Sequence, residues 1–131
     1  MERTEFLVAG LAPPISHYAD AVRFGQLLFI SGCAPVDQDL KIVGEGDPVA
    51  QMRQVLDNMM QVLLAAGMGF GDVLKVTVFL TNADDRIAIN EVRREYFGQA
   101  RPASTLVEVS RLAIPGMLVE MEAIAGSPVT S

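Results

Sequence analysis

With 131 residues, half of them apolar and a fifth charged, the chain has the size and composition of one domain with its own core, expected to span 1–131. A formal charge of -6, with ten scattered basic residues of which only Arg93-Arg94 adjoin, argues against nucleic acid as a partner. No stretch approaches the roughly 18 to 20 apolar residues that cross a bilayer. The N-terminal apolar run is too short for a secretory signal, so a cytoplasmic protein with no membrane partner is expected. Cys33 and His17 are the only cysteine and histidine, which excludes an intrachain disulfide and a zinc site of the multi-Cys or multi-His kind. There is no phosphate loop and no Gly-x-Gly-x-x-Gly, so nothing supports a nucleotide cofactor.

In chain order, Phe6–Val8 predicts a short strand, followed by the stiff segment Leu11-Ala12-Pro13-Pro14-Ile15. Ala19–Phe24 and Leu27–Ser31 flank Gly25-Gln26, a two-residue hairpin turn in which glycine supplies positive φ. Leu27–Ile30 is apolar on both faces and predicts a central strand, which Ser31-Gly32-Cys33-Ala34-Pro35 ends. Gly32 there fits an ordinary strand exit or a close backbone approach whose N–H groups hold an anion. Val36–Gly46 reads as a loop or ragged hairpin.

Asp47-Pro48 then opens a helix, with Asp as N-cap, Pro in the first turn and Gln51 placed for a capping box. Val49, Met52, Leu56, Met59, Met60 and Leu63 recur at helical spacing, the methionines as core filler, and Gly67 stops the helix. Val73–Leu80 is a β-branched, apolar strand. Thr81–Asp85 offers caps for a second helix over Arg86–Phe97, with Ile89, Val92, Tyr96 and Phe97 as its apolar stripe and Gly98 as its stop. Asn90 lies beside that stripe, as a buried hydrogen-bonding residue or a surface amide.

Two strands close the chain, Ser104–Val109 and Met117–Ala125, joined through Pro115-Gly116. Alternation puts Glu120 and Glu122 on one face of the last strand and Val119, Met121 and Ala123 on the other. Such acids fit a solvated sheet face, or a pocket in which one of them handles protons. The order is β-β-β-α-β-α-β-β, an α+β fold with two helices layered on one face of a mixed sheet. The other face is left for burial between copies of the chain.

Several segments together resemble a known family. They are Ser16-His17-Tyr18-Ala19-Asp20, Leu28-Phe29-Ile30-Ser31-Gly32-Cys33-Ala34-Pro35, Gln51 to Asn58, Asp72 to Phe79, Asn90 to Phe97, Pro102-Ala103, Val107-Glu108-Val109, Arg111-Leu112 and Glu120 to Ala125. In this order, over about residues 13 to 125, they resemble the Rid (YjgF, reactive intermediate deaminase) family. The resemblance implies a chorismate-mutase-like protomer of the bacillus type and a homotrimer with small-molecule clefts between subunits. It also implies hydrolysis of enamines or imines such as 2-aminoacrylate to a keto acid and ammonia, without metal or cofactor. By motif position Glu120 is the water-positioning acid, and Tyr18, Ser31, Gly32, Asn90 and Ser104 fall around the cleft.

Ser104 and Leu106 depart from the family pattern, which has a carboxylate-binding arginine and a cysteine there. Losing that arginine costs on the order of 30- to 1000-fold at a carboxylate site. The expected pocket is smaller, less basic and more apolar, with Arg101 three positions away and not required to reach it. Two functions stay open: a metal-independent deaminase of a small enamine, imine or related metabolite, or a non-catalytic trimer that binds or senses a metabolite in the same clefts. His17 suits proton transfer or a plain surface site, and Cys33 a ligand contact or a buried thiol.

Overall fold

The computed structural model describes residues 1–127. Six strands form one mixed sheet: β1 (Arg3–Phe6), β2 (Ala21–Phe24), β3 (Leu27–Cys33), β4 (Val73–Leu80), β5 (Ala103–Glu108) and β6 (Val119–Gly126). Helix α1 (Pro48–Ala65) follows β3, and helix α2 (Arg86–Phe97) follows β4. The sheet order is β1-β2-β3-β6-β4-β5. The expected element order is observed, with the first strand placed earlier, at Arg3–Phe6 instead of Phe6–Val8. None of the described helices is long and apolar enough to cross a membrane.

The last two strands are consecutive in the chain but not neighbours. β6 inserts between β3 and β4, antiparallel to both, while β5 runs parallel to β4 at the sheet edge. A parallel neighbour needs a crossover, and α2 supplies it. β2 and β3 form the expected hairpin, with Gly25 at φ +62° in the turn.

Val76, Val78 and Leu80 of β4 and Val119, Met121, Ala123 and Ala125 of β6 face the core, where α1 lays Met52, Leu56, Met59 and Leu63 across them. Each valine, leucine or methionine among them, fully buried, stabilises the fold by roughly 1.5–3 kcal/mol. The opposite sheet face has no helix on it. There Phe24, Leu27, Phe29 and Leu74 are each about half exposed, around the half-buried Ile124.

Asp47 caps α1 as expected, its Oδ1 accepting from the Val49 and Ala50 amides at 3.1 Å each. Gln51 does not complete a capping box. It is fully buried, its Nε2 donating to the Gly44 and Gly116 carbonyls at 3.1 and 2.9 Å, while its Oε1 accepts from the Leu118 amide at 2.7 Å. The side chain points across to the segment entering β6, where it pairs the Gly116 carbonyl and the Leu118 amide, and it adds a second donor to the Gly44 carbonyl, which also accepts from the Asp47 amide.

Candidate functional site

Glu120 lies on the uncovered face of β6, paired with Phe79 of β4, and its carboxyl turns toward the end of β3. The β3–β6 ladder shifts register between Ile30 and Cys33, so β3 carries one extra residue there. This bulge presents Gly32 beneath the Glu120 side chain. A methyl group on Gly32 would sit 2.0 Å from Glu120 Oε1, so the absence of a side chain at position 32 makes room for the carboxyl. Of the two readings of Gly32, the close approach is the one observed, with a carboxyl rather than an anion-binding nest above it.

Tyr18 and Ser31 flank the same cleft, of about 450 Å³, with Ile114, Met117 and Glu122 on its other side. The Ser31 hydroxyl donates to the Ala19 carbonyl at 2.7 Å, which orients its oxygen as an acceptor and ties the pre-β2 loop to β3. Tyr18 is exposed, its hydroxyl 3.4 Å from the Ile15 amide that donates to it. Partial burial raises the Glu120 carboxyl above the ordinary carboxylate range, and the neighbouring Glu122 charge adds to the shift. A carboxyl so placed changes protonation nearer neutrality than a solvated one, which suits it to both accept and donate a proton. Glu122 itself is exposed, and Glu108 accepts from the Ala83 amide at 2.9 Å, bracing the turn before α2.

Cys33 is buried, and its thiol is pushed up to about 12, first by burial and then by the Glu120 and Asp20 charges. It is a core thiol with no thiolate to offer at neutral pH. His17 is exposed.

Asn90 and Ser104 are not in the Glu120 cleft. Ser104 pairs with Val76, a core-facing residue of β4, so it points to the helix side of the sheet, opposite to Glu120. Together with Arg93, Arg94, Arg101 and Phe97 they line a second cleft of about 410 Å³ between α2 and the start of β5. The pocket at Ser104 is therefore more basic than expected, and Arg101 does reach it. Arg93 Nη2 donates to Ser104 Oγ at 3.0 Å. Leu106, two positions on, faces the core beside Val78 and packs against it.

Comparison with known proteins gives the same family as the motifs. The family model described as Endoribonuclease L-PSP matches residues 10–127. The chain belongs to the endoribonuclease L-PSP family. Within it, a RutC family protein of Pyrococcus horikoshii is 46% identical over 112 residues, 86% of this chain and 88% of that protein. The 3-aminoacrylate deaminase RutC of Acinetobacter baylyi is 35% identical over 125 residues, covering 95% of this chain and 98% of the relative. Among solved structures, YyfA of Yersinia pestis, from the conserved Rid protein family, superposes with a TM-score of 0.90 at 35% identity, covering 96% of this chain and 100% of that one. E. coli TdcF with bound serine superposes with a TM-score of 0.84 at 32% identity, covering 95% and 100%.

Against this L-PSP family background, Arg93 is the site residue that motif reading passed over, noting it only as half of a basic pair. A signal was present. Asn90, Arg93, Arg94 and Phe97 stand at i, i+3, i+4 and i+7, which places them along one stretch of helix surface. Arg93 is half-buried, and burial lowers its pKa.

Proposed function

We propose that this protein is a hydrolytic deaminase of a small enamine or imine, with Glu120 as its proton-transferring residue. The observation that carries this reading is the Glu120 carboxyl, seated over Gly32 in a cleft, with its pKa raised first by burial and then by the Glu122 charge. Water adds to the imine carbon as the carboxylate takes one of its protons. The carboxylic acid returns that proton to nitrogen to give the neutral carbinolamine, whose hydroxyl proton then passes through the same carboxyl to nitrogen as the C–N bond breaks, the carbonyl forms and ammonia leaves. The sum is imine plus water giving carbonyl plus ammonia, which requires one carboxyl and no metal or cofactor. A relative named 3-aminoacrylate deaminase, aligned over nearly its whole length, supports the reaction class.

We further propose that the working unit is a homotrimer and that its clefts lie between subunits. One protomer presents Tyr18, Ser31, Gly32 and Glu120 on one sheet face, while Asn90 and Ser104 open on the other side. A second copy laid on the uncovered face would bury Phe24, Leu27, Phe29 and Leu74 and bring the two groups to one cleft.

The test is ammonia release from enzymatically generated 2-aminoacrylate and 3-aminoacrylate and from a panel of neutral imines. A rate above buffer for any of them, lost in Glu120→Gln, supports the proposal. No rate above buffer, with Glu120→Gln indistinguishable from the parent, overturns it. Saturable ligand stabilisation without turnover would assign the cleft to binding or sensing instead.

A further inference from the structure

We propose that Arg93, on helix α2, is the cation that binds the carboxylate of a small anionic ligand in the cleft beside Ser104. The assignment deepens the deaminase reading by naming the substrate class, and rests on that reading only for the identity of the ligand as substrate.

Arg93 has a guanidinium with five N–H donors, and the single hydrogen bond it makes among the described residues spends one of them on Ser104. It has no carboxylate partner among the described residues. Arg3, Arg53, Arg86 and Arg94 each have one: Glu5, Glu95, Asp84 and Glu91. Arg93 is thus a half-buried cation without a counter-charge, on the wall of an open cleft, in a chain of net charge -6. Partial burial of an uncompensated cation costs free energy that an incoming anion offsets. The planar fork also matches a carboxylate, to which it can donate two parallel N–H bonds.

Asn90 adds an amide to the same wall, and Arg101 a second arginine at the rim. Arg94 is spent on Glu91 at 2.9 Å. That inventory fits one small anion. A nucleic-acid track needs a row of free cations, which the described residues of this acidic chain do not show. Ser104 contributes by being small. Its Oγ ends where the Arg93 guanidinium begins, so a long cationic side chain at position 104 would compete with Arg93 for the same space. In this arrangement the cation comes from α2, and β5 supplies the short residue that orients it.

The test uses the full chain and pyruvate, a keto acid with one carboxylate, titrated by NMR chemical shift beside its uncharged methyl ester and inorganic phosphate. Wild type should bind pyruvate in preference to the ester. Arg93→Gln, which keeps a hydrogen-bond donor for Ser104, should weaken pyruvate binding on the order of 30-fold or more and leave the ester unchanged. Arg93→Ala/Ser104→Arg should recover much of the loss. In turnover, Arg93→Gln should raise KM for an anionic imine while kcat/KM for a neutral one holds. No pyruvate binding by wild type, equal binding by Arg93→Gln, or a loss confined to phosphate overturns the proposal. An inactive wild type that still loses pyruvate through Arg93→Gln overturns the deaminase reading and leaves the carboxylate site standing.

Discussion

The Glu120 carboxyl is held above its unfolded value, first by burial and then by Glu122. Unfolded, it titrates near the ordinary glutamate value of about 4.3. Between that value and its folded pKa the native protein binds more protons than the unfolded chain, so its contribution to stability falls as pH rises through the window. Glu120→Gln removes this cost. Urea denaturation across a pH series should find the variant more stable than wild type above the folded pKa, with the gap closing below about pH 4. Gly32→Ala tests the seat from the other side. The added methyl meets the free end of a flexible side chain, so the carboxyl should swing away while the fold persists. We expect a melting temperature within a few degrees of wild type and a rate lowered on the order of 100-fold, because a displacement of about 1 Å from productive geometry has that effect. An unchanged rate would show that the carboxyl does not act from this position.

Among the elements, α1 and β6 carry most of the order. Gln51 ties the two together, a residue that the sequence places for the capping box opened by Asp47. Its buried role follows from where the backbone of 44, 116 and 118 passes, which no local pattern encodes. Gln51→Leu keeps the volume but takes their side-chain partner from the Gly116 carbonyl and the Leu118 amide, and should cost about 1–3 kcal/mol, read as a lower urea midpoint at unchanged m-value. The strands themselves were legible from alternation: Val119, Met121, Ala123 and Ala125 face inward as the pattern requires. Their neighbours were not. Nothing local says that β6 leaves β5 and inserts between β3 and β4, because a strand apolar on one face packs equally well at several places in a sheet. Arg93 escaped notice for the same reason, since its partner Ser104 lies across the crossover.

At the scale of the molecule, the sheet has one face under helices and one face bare, and the bare one carries half-exposed aromatics and leucines beside Glu122 and Lys75. An apolar surface of that kind belongs in an interface. Phe29→Glu should place a charge in the proposed contact and shift sedimentation equilibrium from trimer to monomer, at little cost to the monomer's own fold, because Phe29 is 44% exposed there. A variant that still sediments as a trimer would move the interface elsewhere. The two-sidedness was foreseeable in the sequence from the doubly apolar Leu27–Ile30 run. The separation of Asn90 and Ser104 from Glu120 was not, because motif order does not say on which side of the sheet each residue opens.

That separation has a genetic consequence. If Glu120 and Arg93 serve one cleft from different chains, a subunit lacking either is defective only toward particular neighbours. Glu120→Gln and Arg93→Gln proteins, each impaired alone, would complement when unfolded together and reassembled in equal amounts, with about a quarter of all clefts receiving both intact residues. A cell carrying both alleles would then retain an activity that neither allele encodes.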